Sequence, residues 1–465
     1  TDESGETVGP TGSNNQTGAG TGSNAKGNTS ASKSSGTTGT TPKPVNTKGY
    51  TFSIISTLLP AKKSSDNTLF EKLFFERVAE VEKELGCTIK IINTLPVNPD
   101  NLAPLIQSGK KVGDVLEIEL RWMPQLISAG YLKPWNEVNG INVKDEKYTE
   151  SYTRLATIGG KNWGLQFMNP PEVRFAVVMN KTMLRNRGVD ADGIYSLVSQ
   201  KKWNFDKFRE YAIKVTNAGA GIYGMGGRPD YVLQELMAAN NARLVTVDSK
   251  GKGTPTYTSN NVKYALSYFN RLVNEDKVFL HTDGMRKQET YAQSLPVYYN
   301  EFIQGKTAFL FEDSWVLNQQ IKPRVRNFEY GMIPIPMGPS ASDYVSPSNH
   351  ARVFTVTSTN KDSDITAKIF DALAVPPAGY SGKDWWLDDV QLDYFQNNDK
   401  QSINIYKMML EKSMWDMGLG IDTLSEGFHR NALFGPVFWN SGKTTNAAID
   451  SIKGVYDKAV KDVFK

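Results

Sequence analysis

Between Tyr50 and Ile118 the chain reads YTFSIIST (50–57), NTLFEKLFFERVAEVEKEL (67–85), TIKII (88–92) and VGDVLEI (112–118), and this order decides the fold class. The first, third and fourth stretches are short and rich in β-branched residues, the composition of strands. The second sets Leu69, Leu73, Phe74, Val78 and Val81 at helical spacing. Shorter helices are expected at 101–108 and 122–129. Strand–helix–strand alternation argues a parallel, right-handed α/β sheet.

Working outward, the same alternation recurs. Phe175–Met179 and Val353–Val356 read as strands, and 206–216, 231–240, 259–274 and 362–374 as helices. Ser259 stands as a natural N-cap before Val262, Ala265, Leu266, Phe269 and Leu272. Past Pro376 the chain is mostly helical and heavy in aromatics. On the other side, Thr1–Lys48 is dominated by Gly, Ser, Thr and Asn and holds no aromatic residue. Such a segment cannot bury enough surface to offset its ordering entropy, so a flexible tether is expected, with a reach of roughly 35–40 Å. No charged n-region and apolar h-region open the sequence at Thr1, which for an exported protein is expected of its mature form.

Composition narrows the function. The chain of 465 residues suggests two or three structural units. Lys and Arg number 53 against 49 Asp and Glu, a net charge of +4 that makes no case for nucleic acid as a partner. One cysteine, Cys87, excludes an internal disulfide framework and every multi-cysteine metal site. His281, His350 and His429 are the only histidines, none within helical reach of another. No apolar run approaches the roughly 18–20 residues of a membrane helix.

Gly219-Ala-Gly221-Ile-Tyr-Gly224 matches a dinucleotide fingerprint, but it follows an expected helix instead of a strand, which removes the geometry that motif needs. Acidic residues gather at Asp114, Glu117 and Glu119 and at Glu312-Asp313. Paired carboxylates serve glycosidases when they stand about 5–10 Å apart, yet a chain this acidic offers such pairs by chance. Trp163, Trp315, Trp385, Trp386, Trp415 and Trp439 lie in stretches rich in Gly, Asp, Asn and Ser. Indole faces beside planar polar groups suit the C–H face and hydroxyls of a sugar ring.

Several segments then follow one order. They are Gly113-Asp-Val115 with 122–129 and Gly130-Tyr-Leu-Lys-Pro-Trp135; Gly159-Gly-Lys-Asn-Trp-Gly-Leu-Gln-Phe167; Ala176-Val-Val-Met-Asn-Lys181 with Gly188-Val189; Trp203-Asn-Phe-Asp-Lys-Phe208; Phe302-Ile-Gln-Gly-Lys-Thr-Ala308 before Trp315; and YGMIPIPMGP at 330–339. Together they resemble the extracellular solute-binding proteins (family 1, the carbohydrate-binding lipoproteins) of ABC sugar transporters.

The resemblance implies an α/β, two-lobed periplasmic-binding-protein-like fold of type II, with a helical C-terminal extension and a ligand cleft between the lobes. It implies a tether at 1–48, a first lobe of 49–167 plus 306–353 and a second of 168–305 plus 354–465. Crossings are expected near 167–172, 302–306 and 352–356. The strands' carboxyl ends independently place the loops after Thr57, Ile118 and Phe167 at the cleft. Trp315, Tyr231 and Trp439 match the family's stacking aromatics. Glu119, Arg121 and Trp122 occupy the first lobe's contact loop, Glu172 and Arg174 the first crossing, and Asn349 and His350 the approach to the third. Asp313 completes the candidate binding set. The resemblance calls for no catalytic residue, metal or cofactor. Expected partners are an oligosaccharide and the permease subunits of an ABC importer, with the protein a monomer anchored by lipid to the surface of a Gram-positive bacterium, although the lipidated Cys is not in this chain. An extracellular glycoside hydrolase or lyase on an α/β scaffold is the alternative.

Overall fold

Thr68 starts the first helix by accepting a hydrogen bond from the Glu71 amide while the Glu71 side chain returns to the Thr68 amide, a reciprocal cap. The helix Leu69–Leu85 ends at Gly86, whose φ of 63° is the left-handed conformation glycine adopts most cheaply. Its buried stripe of Phe74, Val78 and Val81 packs with Phe52 and Ile54 of the strand Thr51–Ile55. Each such side chain removed from water contributes about 1.5–3 kcal/mol.

The computed structural model describes residues 44–167, 172–280, 282–287, 291–439 and 441–464. The tether expected at 1–48 lies almost wholly outside these residues, as do His281 and residues 168–171 of the first expected crossing.

Two main sheets organise the chain. The first has the order Thr88–Ile92, Thr51–Ile55, Val115–Glu119, Arg352–Thr357, Leu132–Lys133. The second runs Tyr330–Ile333, Ala176–Asn180, Thr307–Glu312, Tyr223–Gly227. Helix 363–373 returns to the first sheet, where Phe370 stacks on Trp135 with ring centroids 4.5 Å apart. The helices after residue 386 join the large core around the second sheet through Trp386, Val390, Tyr406 and Phe438.

Three expectations are corrected. Both sheets are mixed instead of parallel: Arg352–Thr357 runs antiparallel to Val115–Glu119, and Thr307–Glu312 is antiparallel to Ala176–Asn180 but parallel to Tyr223–Gly227. Arg352–Thr357 enters the first sheet after the long excursion through the second, not through a local helical crossover, so its direction is free of the βαβ rule. Second, two segments join the other sheet from the one expected. Thr307–Glu312, expected in the first lobe, is buried along its whole length between two strands of the second sheet. Residues 354–373, expected in the second, belong to the first. Third, the turn at 302–306 stays within the second sheet, since Gly305, at φ 72°, leads the helix Tyr291–Ile303 directly into Thr307–Glu312. The passage back to the first sheet precedes Arg352, at 348–351, where Leu120 and Arg121 donate to the Ala351 and Asn349 carbonyls at 2.8 and 3.0 Å.

The Gly219–Gly224 motif leads into a strand instead of out of one: a short 3-10 turn at Ala218–Ala220 precedes Tyr223–Gly227. Among the described residues no helix is long and apolar enough to cross a membrane.

Candidate functional site

Strand Val115–Glu119 ends by placing one carboxylate among three donors. Glu119 Oε2 accepts from Arg121 Nε at 2.6 Å and from His350 Nδ1 at 3.1 Å, and Oε1 accepts from Arg352 Nη2 at 3.1 Å. Burial alone would raise the Glu119 pKa, but the His350 bond and the Arg121 and Arg352 charges outweigh it and hold the carboxyl at about 2. Burial drives the His350 pKa down, so at neutral pH its Nδ1–H is donated by an uncharged ring. Arg352 also donates to Thr57 Oγ1 at 3.3 Å, tying the loop after the first strand to the same hub. The Arg121 guanidinium lies 5.0 Å from the Trp122 ring, with Nε spent on Glu119 and its terminal nitrogens left at a one-third exposed surface.

The second sheet supplies the facing group. Tyr231, in the first turn of the helix Pro229–Ala239, stands 5.1 Å from the His350 ring and 4.8 Å from Phe175. Arg228 is held bidentate by Asp230, both contacts 2.8 Å, and lies 3.9 Å from the Tyr231 ring centroid. Burial pushes the Tyr231 hydroxyl up to about 12, against the opposing charge of Arg228.

A third group borders Tyr231. Arg174 pairs with Glu172 and reaches Asp313 at 3.1 Å. Glu172 and Arg174 thus form an ion pair extended into the second sheet through the residue following Thr307–Glu312. Burial raises the Asp313 pKa to about 7, opposed by Arg174 and reinforced by Glu172. Its neighbour Glu312 rises to about 8 through burial and the Asp313 charge. Glu235, wholly buried and with neither oxygen hydrogen-bonded among the described residues, is pushed well above its ordinary value by burial and by these two acids. Trp315 follows, half-buried, with its amide on Asp313 Oδ1 at 3.4 Å and its ring edge-on to Tyr299 at 6.2 Å.

The structure therefore brings together Glu119, Arg121, Trp122, His350 and Tyr231, and adjoins to them Glu172, Arg174, Asp313 and Trp315. Asn349 is a brace: its amide donates to Gln234 Oε1 at 3.2 Å, and its Oδ1 accepts from the Asp416 amide at 2.8 Å. Trp439 is half-buried against Phe434, ring centroids 5.5 Å apart, at the end of the wide helix His429–Phe438. That helix begins at His429, buried and electrostatically coupled to Asp230, Arg228 and His350. Of the other tryptophans, Trp163 bonds Ile158 O at 3.1 Å and packs on a first-sheet core, and buried Trp415 bonds Leu155 O at 3.0 Å.

Sequence reasoning missed Arg228, Asp230, Arg352 and His429. Arg228-Pro-Asp230 at a helix start was legible as a cap-like acidic turn. Nothing in the sequence joins Arg352 to Glu119, because their pairing is set by the antiparallel register of two strands 233 residues apart. Among the described residues no group of three or more His, Cys, Asp or Glu could hold a metal ion.

Residues 65–380 match the family described as bacterial extracellular solute-binding protein. No curated protein sequence matches the chain. Among solved structures, the GacH receptor of Streptomyces glaucescens, studied unliganded and with acarbose, is 19% identical, with 89% of this chain and 99% of that one covered at a TM-score of 0.57. The cyclic alpha-maltosyl-1,6-maltose binding protein of Arthrobacter globiformis is 14% identical over 89% of this chain and 99% of its own, at a TM-score of 0.62. UgpB of Mycobacterium tuberculosis, in complex with glycerophosphocholine, is 14% identical over 88% and 98%, at a TM-score of 0.61. The fold is thus the two-lobed α/β fold of such proteins.

Proposed function

Because the chain belongs to the bacterial extracellular solute-binding protein family, we propose that it is the non-enzymatic receptor of an ABC importer and that it captures an oligosaccharide between its lobes. The observation that carries this reading is the meeting of Glu119, at the carboxyl end of the first sheet's central strand, and His350, just before the neighbouring strand, with Tyr231 from the second sheet's helix, His350 and Tyr231 standing 5.1 Å apart. Planar donors and acceptors held rigid beside aromatic faces are what hydroxyls and a pyranose C–H face require. GacH with acarbose and the cyclic maltosyl-maltose binding protein support the carbohydrate class.

In this reading Trp315, Tyr231 and Trp122 are stacking surfaces, and Trp439 extends them. Arg121, Glu172 and Asp313 supply hydrogen bonds, while Glu119, Arg174, Asn349 and His350 hold them in place. The first lobe comprises 45–167 and 349–374, the second 172–348 and 375–464. The Gly/Ser/Thr-rich start is a spacer that keeps a monomeric, lipid-anchored receptor clear of a Gram-positive cell surface, within reach of its permease.

The test is a thermal-shift screen against gluco-, manno-, xylo-, galacto- and arabino-oligosaccharides, paired with a reducing-end assay. A ligand at 100 times its Kd adds about 2.7 kcal/mol of stability. A clear melting shift with one class and no new reducing ends is the expected result. New reducing ends would restore the hydrolase alternative, and flat melting curves across all five classes would sink the carbohydrate reading.

A further inference from the structure

A cavity of about 470 Å³ lies apart from the Glu119–Tyr231 site, between the segment Val143–Arg154 and the pair of stretches 382–386 and 407–411. It shares no lining residue with the candidate set. One wall belongs to the first sheet's side and the other to the second's, and both are braced. Tyr148 donates to Asp371 Oδ1 at 2.8 Å, and Arg154 reaches across to the Ser413 and Glu411 carbonyls at 3.0 and 3.1 Å. Opposite, Trp385 is wedged between Phe70 at 6.0 Å and Tyr380 at 5.1 Å, and Lys407 pairs with Asp384 at 2.5 Å.

We propose that this cavity is a second carbohydrate site, taking a neutral mono- or disaccharide. Its volume is at the lower end of the roughly 300–1,000 Å³ of small-molecule pockets, enough for one or two sugar rings and too small for a longer chain. Its five basic side chains are matched by five acidic ones, so the lining selects against a net charge on the ligand. Donors and acceptors gathered in one lining suit vicinal hydroxyls, and the half-buried Trp385 adds aromatic surface for the ring carbons. A braced cavity also loses little side-chain entropy on filling. The ligand class is read from this lining alone, so the site stands or falls separately from the one around Trp315.

Saturation-transfer NMR on the full chain with glucose, xylose, maltose, cellobiose and xylobiose tests it, using Trp315→Ala to remove the first site. Two variants plug the cavity from opposite rims at exposed positions that leave the fold intact, Glu150→Trp and Lys383→Trp. At least one of the five sugars should still receive transfer in the Trp315→Ala protein. Its affinity should fall tenfold or more when either plug is added, with the melting temperature unchanged. Transfer to none of these sugars in the Trp315→Ala protein, or transfer that neither plug weakens, overturns the second site. Sugar binding that survives Trp315→Ala unweakened but is lost on plugging would leave the second site standing and discard the first.

Discussion

Trp315 and Glu312 lie three residues apart and answer to opposite experiments. Trp315 is half-buried, its ring meeting Tyr299 only edge-on. Loss of a central aromatic anchor costs about 2 kcal/mol or more, roughly thirtyfold in Kd. Trp315→Ala should therefore weaken sugar binding by at least that factor in titration calorimetry and keep its fold, whereas a core Trp would unfold first, at about 3–5 kcal/mol. Unchanged affinity would remove Trp315 from the site. Glu312 and Glu235 instead govern stability. Both are buried acids whose folded pKa lies above the unfolded one, Glu312 at about 8. Each contribution is complete below the unfolded value of about 4.5 and is lost as pH rises through the folded value, about 8 for Glu312. Glu119, held at about 2, acts the other way: its contribution is present above pH 4.5 and is lost as pH falls through 2. Denaturant unfolding should show stability declining by a few kcal/mol between pH 5 and 8, and Glu312→Gln should flatten that decline. A slope untouched by Glu312→Gln would mean the carboxyl is ionised and paired in the fold. Some of the contacts join residues the sequence singled out, such as Tyr231 beside His350 and Asp313 beside Arg174. The bracing partners Arg228 and Arg352 were not legible, because a pairing made by strand register leaves no local pattern.

At the scale of elements, periodicity located most helices and the long strands. Leu69–Leu85, Phe205–Val215 and Ser363–Leu373 stand within a few residues of their expected ranges, because each carries an apolar stripe, the first two behind a side-chain cap. Strand direction and sheet membership were illegible, since a fully buried strand such as Thr307–Glu312 shows no alternation to say which sheet it joins. The close approach of two turns was equally hidden. At Gly420 a Cβ would stand 1.7 Å from the Arg121 carbonyl oxygen, a backbone atom that cannot swing aside. The turns Leu120–Trp122 and Met417–Gly420 meet there, the first of them next to Glu119 in the chain. Gly420→Ala should push them apart at a cost of about 1–3 kcal/mol and displace Arg121 and Trp122 with them. The expected readout is a lowered melting temperature together with weaker sugar binding, whereas Gly454→Ala, in the helix Lys453–Val463, where an added Cβ meets nothing within 4 Å, should leave binding unchanged. A Gly420→Ala protein with parental stability and affinity would show that the two turns separate freely.

For the whole molecule, the polypeptide leaves the first sheet's side after Phe167, returns at 348–351 and passes to the second again after Ala374, so short segments join the halves. Much of what faces across the junction is polar: Arg121, Asn349 and Asp416 meet through hydrogen bonds at 2.8–3.0 Å, and Arg154 bonds to carbonyls on the other side. Apolar contacts also cross it, Trp415 within the first half's core and Phe70 against Trp385, and hinge closure around a ligand is the motion that short connecting segments permit. A ligand shifts that equilibrium only by its differential affinity for the closed arrangement, and a sugar touching Trp122 from one half and Trp315 from the other would have it. Spin labels at exposed Glu84 and Asp206, one on each half, read the motion directly. Without ligand the distance distribution should be broad. With a saturating oligosaccharide it should narrow and shift, and in Trp315→Ala at the same sugar concentration it should return toward the broad form. A distribution that binding leaves unchanged would mean the halves are locked, and that the site fills by loop movement at Thr57 and Arg121 instead of by closure.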